Sequence, residues 1–223
     1  IFIDGTWLYV NTPRLAQSYH TPEYQIDFGK LPRVLAEELR ERLPFPVEID
    51  LARTYLFGSY ADNYDPRDEE SVRRRLDFFQ MLREEYGYEA ETYPVNYRGR
   101  RLRRIDRGPG DAFEPKEKCV DIAMATTMSH FAAVPGSYDI AIAVLGDADF
   151  MPMLQHVRRL GKRVAIASIK GTCSEEYLEQ GDGDRSRDFD IIWLDDILEK
   201  LELRFERQRR ECEAAQHVGD PMV

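Results

Sequence analysis

The feature that most constrains the fold is a near-continuous apolar run at residues 138–145, YDIAIAVL. A strand that is covered on both faces has this composition, whereas a strand with one wet face alternates apolar and polar residues. Shorter runs rich in β-forming residues alternate with amphipathic helical patterns along the rest of the chain. This alternation predicts an α/β domain with a mostly parallel sheet and right-handed crossovers.

The individual elements follow from the same periodicities. Strands are predicted at residues 1–3, 47–57, 88–95, 138–145, 163–169 and 190–194. Helices are predicted at residues 31–43, 68–86, 116–134, 150–160, around 174–178, and from 195 to about 216. Pro13 and Pro22 are expected to limit any helix between residues 5 and 25.

Composition excludes several classes of protein. The 223 residues include 41 acidic and 31 basic side chains, so a net charge of −10 argues against a protein that coats DNA through charge alone. No apolar run approaches the ~20 residues of a membrane helix, and no signal-peptide pattern is visible. The three cysteines lack metal-site or disulfide spacing, which favours reduced thiols in a cytoplasmic protein.

One segment opposes the overall charge. Residues 97–107 read YRGRRLRRIDR, and the six arginines and one aspartate between Arg98 and Arg107 give a local charge of +5, leaving −15 elsewhere. We interpret it as an insertion or hairpin at about residues 96–110. Its side chains either grip an RNA backbone, with an aromatic ring for stacking, or pair with the many surface acids. The candidate RNA-binding residues are Tyr97, Arg100, Arg101, Arg103, Arg104 and the nearby Lys118.

Acidic residues follow two of the predicted strands. Asp4 comes directly after the first strand, and Asp147 and Asp149 follow the apolar run at 138–145. The carboxyl ends of parallel strands meet at one edge of the sheet, where ligand sites form. Carboxylates gathered there repel one another unless a divalent cation such as Mg²⁺ is bound. Asp121, early in a predicted helix, is a further candidate.

Each aspartate also has an ordinary structural interpretation. Asp149 could cap the helix at 150–160, and Asp4 could be a turn residue before Gly5. Asp121 could lie on a solvated helix face with Glu117 and Ala125. Asp147, between Gly146 and Ala148, is harder to explain as turn chemistry.

Three short motifs, taken in order, resemble the NYN domain. They are Asp4-Gly5 after a strand, Lys118-x-Val120-Asp121 opening a helix, and Gly146-Asp147-Ala148-Asp149-Phe150 after another strand. The NYN domain belongs to the PIN-like nucleases and includes the LabA-like (DUF88) bacterial proteins. Asp188-Phe189 resembles a later family segment, so Asp188 is a weaker candidate. The resemblance spans about residues 1–195 and would leave 196–223 as a charged C-terminal helix and tail.

The resemblance implies a PIN-like three-layer α/β/α sandwich and a divalent-metal-dependent ribonuclease. Asp4, Asp121, Asp147 and Asp149 would then be the catalytic cluster that holds Mg²⁺ or Mn²⁺. The chain departs from the family pattern at Trp7, where an asparagine is usual, at Ala148, and at Cys119, where a glycine is usual. Asn11, one turn later, is a possible substitute for that asparagine. Two alternatives remain, a non-catalytic regulator that binds RNA, a nucleotide or a protein, and a nuclease acting on DNA.

Overall fold

The computed structural model describes residues 1–19, 24–44, 46–178 and 188–203. The strands are β1 (Phe2–Asp4), β2 (Tyr55–Tyr64), β3 (Glu89–Arg100), β4 (Ile140–Val144), β5 (Arg163–Ser168) and β6 (Asp190–Trp193). The α-helices are α1 (Gly5–Ser18), α2 (Leu31–Arg42), α3 (Glu69–Glu84), α4 (Val120–Ala133), α5 (Met151–Arg159) and α6 (Leu198–Leu201). Short 3₁₀ turns occupy Pro66–Asp68, Arg104–Asp106, Ala148–Phe150, Glu175–Tyr177 and Leu194–Ile197.

The six strands pair in parallel in the order β3-β2-β1-β4-β5-β6. The chain builds outward from β1 to β3 and then returns to place β4 on the other side of β1. The strand order therefore reverses between β1 and β4, where Ile3 lies beside Val144. In doubly wound sheets the crevice outside the strand ends at this reversal is the usual ligand site.

Helices cover both faces of the sheet and enclose two apolar cores. Successive residues of β4 alternate between them: Ile142 and Val144 pack with helices α1, α2, α3 and α6, and Ala141 and Ala143 pack with α4 and α5. Since both faces of the strand are covered, its near-continuous apolar composition is explained. The predicted three-layer α/β/α sandwich is confirmed.

Helix α1 was not predicted, because Pro13 lies inside it. A proline within a helix removes one backbone hydrogen bond. Here the helix is stabilised by a side-chain cap from Asp4 and by the burial of Leu8 and Leu15 against the sheet. The expectation that proline limits a helix was therefore wrong for Pro13, and Pro22 lies outside the described residues.

Two strand boundaries also differ from the prediction. Residues 47–54 were expected to begin the second strand, but pairing starts only at Tyr55, which faces Phe2 of the three-residue β1. The arginine-rich segment is not a hairpin, because β3 continues to Arg100 in parallel with β2. The chain beyond Arg100 then crosses to α4 through a long connection containing one 3₁₀ turn.

The charged C-terminal helix is shorter than predicted where it is described. Helix α6 ends at Leu201, and the next residue, Glu202, is extended and bridges to Ile26. Residues 204–223, which include most of the predicted helix and tail, lie outside the described residues. Across the part of the chain that is described, no helix has the length and apolar character needed to cross a membrane.

Candidate active site at the reversal of strand order

Asp4 is the last residue of β1 and the N-cap of α1. Its side chain is 5% exposed, and Oδ1 accepts a hydrogen bond from the Trp7 backbone N–H at 2.9 Å. The pKa of Asp4 is raised from 3.8 to about 7, chiefly by burial and also by the negative charges of Asp121 and Glu117, while hydrogen bonds from the Trp7 and Thr6 amides oppose the shift. A buried carboxyl with opposed influences of this kind is typical of functional sites.

Glycines adjoin two of the acidic residues, Gly5 after Asp4 and Gly146 before Asp147, at points where neighbouring groups pack closely against the backbone. A Cβ on Gly5 would stand 2.8 Å from the Phe57 carbonyl oxygen of β2. A Cβ on Gly146 would stand 2.6 Å from both the Thr172 carbonyl oxygen and Trp7 Nε1. The Trp7 indole therefore packs directly over the turn that carries Asp147. Side chains at either glycine would force the site apart.

Asp147 follows β4 and caps the 3₁₀ turn Ala148–Phe150. Its carboxylate accepts a hydrogen bond from the Asp149 backbone N–H at 3.1 Å, and its backbone carbonyl accepts one from the Tyr177 hydroxyl. The helix α5 that follows has no side-chain cap. The interpretation of Asp149 as a cap was therefore wrong, because Asp147 supplies the cap and the Asp149 side chain is left exposed.

Asp121 comes from the opposite face of the sheet, in the first turn of α4. Its pKa is raised by burial and then by the charges of Glu117, Asp147 and Asp149. The charge of Asp121 in turn raises the pKa of Asp4. The four aspartates predicted from the sequence therefore share one electrostatic environment at the carboxyl ends of β1 and β4.

Glu117 is a fifth acid of this environment that the sequence interpretation did not select. It precedes α4, and its carboxylate accepts a hydrogen bond from the Ser59 hydroxyl of β2. Ser59 Oγ also lies 3.4 Å from Thr6 Oγ1 in the first turn of α1. The spacing of four residues from Asp121 was visible in the sequence, but it favoured a solvated helix face.

The donor set fits a hard divalent cation in chemistry, since it consists of carboxylates and repelling acids are relieved by such an ion. In the conformation described, however, no three His, Cys, Asp or Glu side chains of residues 1–19, 24–44, 46–178 and 188–203 converge closely enough to be a ready-made metal site. The side chains of the acids would have to turn inward to share one ion.

The arginine-rich segment is largely engaged in contacts within the protein. Arg101 forms a two-pronged ion pair with the buried carboxylate of Asp68, at 2.9 and 3.0 Å, and the Leu102 backbone N–H donates to the same carboxylate. The Arg101 hydrogen bonds lower the pKa of Asp68. Arg100 pairs with Asp111 at 3.0 Å.

The other members of the segment differ in their contacts. Arg104 lies 3.4 Å from Glu114, and Arg107 donates to three backbone carbonyls and lies 5.9 Å from the centre of the Tyr97 ring. The side chains of Arg103 and Lys118 are both exposed and have no ion-pair or hydrogen-bond partner among the described residues. The pairing alternative thus accounts for Arg100, Arg101 and Arg104, and any RNA contact by the segment remains a prediction.

Two weaker candidates lie elsewhere or are otherwise engaged. Asp188 precedes β6, at the amino edge of the parallel sheet, and pairs with Arg158 at 2.6 Å. It therefore does not join the acidic group at the carboxyl edge. The Asn11 side chain donates to the Trp7 carbonyl oxygen at 2.9 Å, so its amide supports the first turns of α1.

Cys119, the N-cap of α4, has a φ of 78°. This left-handed conformation is strained for a side chain other than glycine. It accounts for the glycine that the family resemblance leads one to expect at this position.

Comparison with protein families decides the assignment of this fold. The family model for the NYN domain matches residues 1–183. The chain belongs to the NYN domain family. No curated protein and no solved structure matched the chain. The NYN match includes β1, the start of α4 and the turn after β4, which are the three segments that carry the acidic residues.

Proposed function

We propose that this NYN protein is a divalent-metal-dependent ribonuclease that hydrolyses RNA phosphodiester bonds at its acidic cluster. The observation that supports the proposal is that the charges of Asp147 and Asp149 raise the pKa of Asp121, and the charge of Asp121 raises that of Asp4, at the reversal of strand order. Membership of a nuclease-related family and the oxygen-only donor set agree with it.

The four aspartates would hold Mg²⁺ or Mn²⁺, with Asp4 and Asp147 as direct ligands and Asp121 and Asp149 as ligands or as acceptors for bound water. When bound, such an ion polarises a phosphodiester oxygen and lowers the pKa of an attacking water molecule. The protein fixes two of the carboxylates in advance, because backbone N–H groups hold Asp4 and Asp147 in place. No histidine is required in this scheme.

RNA is the proposed partner. The proposed RNA-binding residues precede α4 in the chain and are Tyr97, Arg100, Arg101, Arg103, Arg104 and Lys118. Arg103 and Lys118 support this best, since their charges have no partner within the described part of the chain. We also propose a domain boundary near residue 195 and a cytoplasmic location. A homo-oligomer is compatible with the sequence and is left open.

A specific observation favours the non-catalytic alternative as the second candidate. Trp7 occupies the position where the family usually carries an asparagine, and its indole packs over Gly146. The acidic side chains of the described residues do not converge on one ion position. A regulator that binds RNA or a nucleotide would need the same arrangement of charges but would not cleave its ligand.

The experiment incubates the purified chain with end-labelled single-stranded RNA or DNA in Mg²⁺, Mn²⁺ or EDTA. We expect RNA products with either metal, none with EDTA, and little cleavage of DNA. Binding of RNA without products in either metal would support the regulator, and cleavage of DNA in preference to RNA would support the third alternative. Circular dichroism on the same preparation confirms that the chain is folded.

A further inference from the structure

Arg75 of α3 is a cation near the acidic site that forms no direct ion pair with a carboxylate in the described part of the chain, although the charge of Glu117 acts on it. Its Nε donates to the Ser59 backbone carbonyl at 3.4 Å. Within the described residues it forms no ion pair, although burial lowers its pKa by disfavouring the charged form. The charge of Glu117 opposes this effect of burial without direct contact, so the guanidinium keeps donors with which it can bind an oxyanion ligand.

The surroundings of Arg75 leave one part of its guanidinium available. The Tyr9 and Phe79 rings lie 4.3 Å and 4.7 Å from Arg75 Cζ, measured to their centres. Only Tyr55 Oη and Ser168 Oγ are fully buried and unpartnered side-chain atoms in the described chain. The terminal nitrogens of Arg75 make no hydrogen bond there, so they must remain in contact with solvent. The planar group is therefore fixed by two rings while its donor edge stays open.

Short contacts connect Arg75 to the acidic cluster. The same Ser59 whose carbonyl accepts from Arg75 donates through its hydroxyl to Glu117 and approaches Thr6 Oγ1 at 3.4 Å. Glu117 in turn raises the pKa of Asp4. Ser59 of β2 therefore contacts both the Arg75 guanidinium and the Glu117 carboxylate. The guanidinium lies on the face of the sheet against which α1 and α3 pack.

A cleft between α1 and α3 runs past this arginine. Its volume is about 1260 Å³, and Gly5, Tyr9, Arg75 and Phe78 are among its lining residues. The cleft therefore reaches Gly5, the residue that follows Asp4, and continues over aromatic side chains. Tyr9 is 66% exposed and lines this cleft, so its ring is accessible to a ligand there.

We propose that Arg75 and Tyr9 bind one nucleotide of a single-stranded RNA as the strand leaves the acidic cluster along this cleft. The open edge of the Arg75 guanidinium would donate to a backbone phosphate, with the two-pronged geometry that arginine forms with oxyanions. The exposed Tyr9 ring would stack on the adjacent base, a contact that tolerates any base. The inference rests on the proposed function, because it assumes that RNA enters the acidic site.

The test measures binding of a short 5′-fluorescein-labelled oligouridylate by fluorescence anisotropy in EDTA, where no cleavage occurs. Arg75→Gln is expected to weaken binding about tenfold and to lower the salt slope by about 0.7, the value for one phosphate contact on a single strand. Arg73→Gln is the matched control, since Arg73 is exposed on the same helix and is not among the residues that line the cleft. We expect it to change the affinity less than about twofold.

Two further variants separate the phosphate from the base. Tyr9→Ala is expected to weaken binding of the oligouridylate about tenfold and to leave binding of an abasic strand nearly unchanged. Arg75→Lys keeps the charge but loses the fork, so we expect a loss of about threefold. If Arg75→Gln does not fold, as judged by circular dichroism, these two variants provide the test.

Unchanged affinity in Arg75→Gln, or in both Arg75→Lys and Tyr9→Ala, would overturn the proposal. An equal loss in Arg73→Gln would also do so, because it would indicate general charge attraction. Since all of these measurements are made without metal, they are independent of cleavage. A chain that binds RNA through Arg75 but never cleaves it would contradict the nuclease proposal alone.

Discussion

Replacing Asp147 with asparagine is expected to lower the rate of RNA cleavage in Mg²⁺ or Mn²⁺ by at least about 100-fold. The asparagine keeps an oxygen that can accept the hydrogen bond from the Asp149 N–H, so the turn after β4 should persist. The substitution removes the negative charge that would face the metal. A metal stabilises such a transition state by several kcal/mol, and each 1.36 kcal/mol changes the rate about tenfold.

The matched control for Asp147→Asn is Asp188→Asn. Asp188 lies at the amino edge of the sheet and pairs with Arg158 in an exposed contact, so its loss should leave the cleavage rate within about twofold of wild type. Initial rates on end-labelled RNA, with matching circular dichroism spectra, give the comparison. Cleavage at the wild-type rate by folded Asp147→Asn protein would remove Asp147 from the catalytic assignment.

The second large expected effect is on stability, because a substitution of a proposed catalytic residue should stabilise the folded protein. Asp4→Asn is expected to raise the free energy of unfolding of the metal-free protein by about 2 kcal/mol at about pH 8. The folded pKa of Asp4, about 7, lies above its ordinary value of 3.8. A carboxyl group whose pKa is raised on folding stabilises the folded protein fully at pH values below its unfolded pKa. This stabilisation is lost as the pH rises through its folded pKa.

The difference of about three pKa units corresponds to about 4 kcal/mol at 1.36 kcal/mol per unit. Asparagine removes this cost and can still cap α1, but its buried amide needs hydrogen-bond partners, which reduces the net gain to about half. As pH falls from 7 toward 4, wild-type Asp4 takes up a proton, so the advantage of the variant should disappear.

Urea unfolding of both proteins in EDTA across this pH range measures the effect. Adding Mg²⁺ should stabilise the wild type more than Asp4→Asn, because a cation relieves the repulsion that the variant no longer has. A variant that is less stable than wild type at about pH 8, or a difference that does not depend on pH, would show that the ionised form of Asp4 does not destabilise the folded protein.

The location of the site followed from the sequence because it depends on a robust feature. Strands that are buried on both faces are recognisable by composition, and the residues that leave their carboxyl ends must meet where the strand order reverses. Asp4 and Asp147 were therefore placed at one edge before the structure was known. Asp121 was harder, since helix α4 reaches the site from the other face only through tertiary packing.

The local roles were predicted less well, because they depend on geometry within one turn. Asp147 caps its own 3₁₀ turn, whereas the sequence offered a helix cap by Asp149 as an alternative to a metal-binding role. Helix α1 forms in spite of Pro13, since a cap and a buried face outweigh one missing hydrogen bond. Glu117 joins the acids because the chain before α4 folds back toward Ser59, a contact that no periodicity encodes.

The arginines show the limit of reading charge from composition. A local charge of +5 suggested an open basic surface, but Asp68 is buried beneath it and holds Arg101 through two hydrogen bonds. Arg75 carries less local signal, as one basic residue among several on α3. It stands out only when its partners are known.

The most direct test of the central claim is Mn²⁺ binding, measured by calorimetry on the wild type, on Asp4→Asn, Asp121→Asn, Asp147→Asn and Asp149→Asn, and on the Asp188→Asn control. If the four aspartates form one metal site, the wild type and the control bind Mn²⁺ alike, and each of the four variants binds it about tenfold more weakly or not at all. Equal affinity in the wild type and in Asp147→Asn would contradict the account.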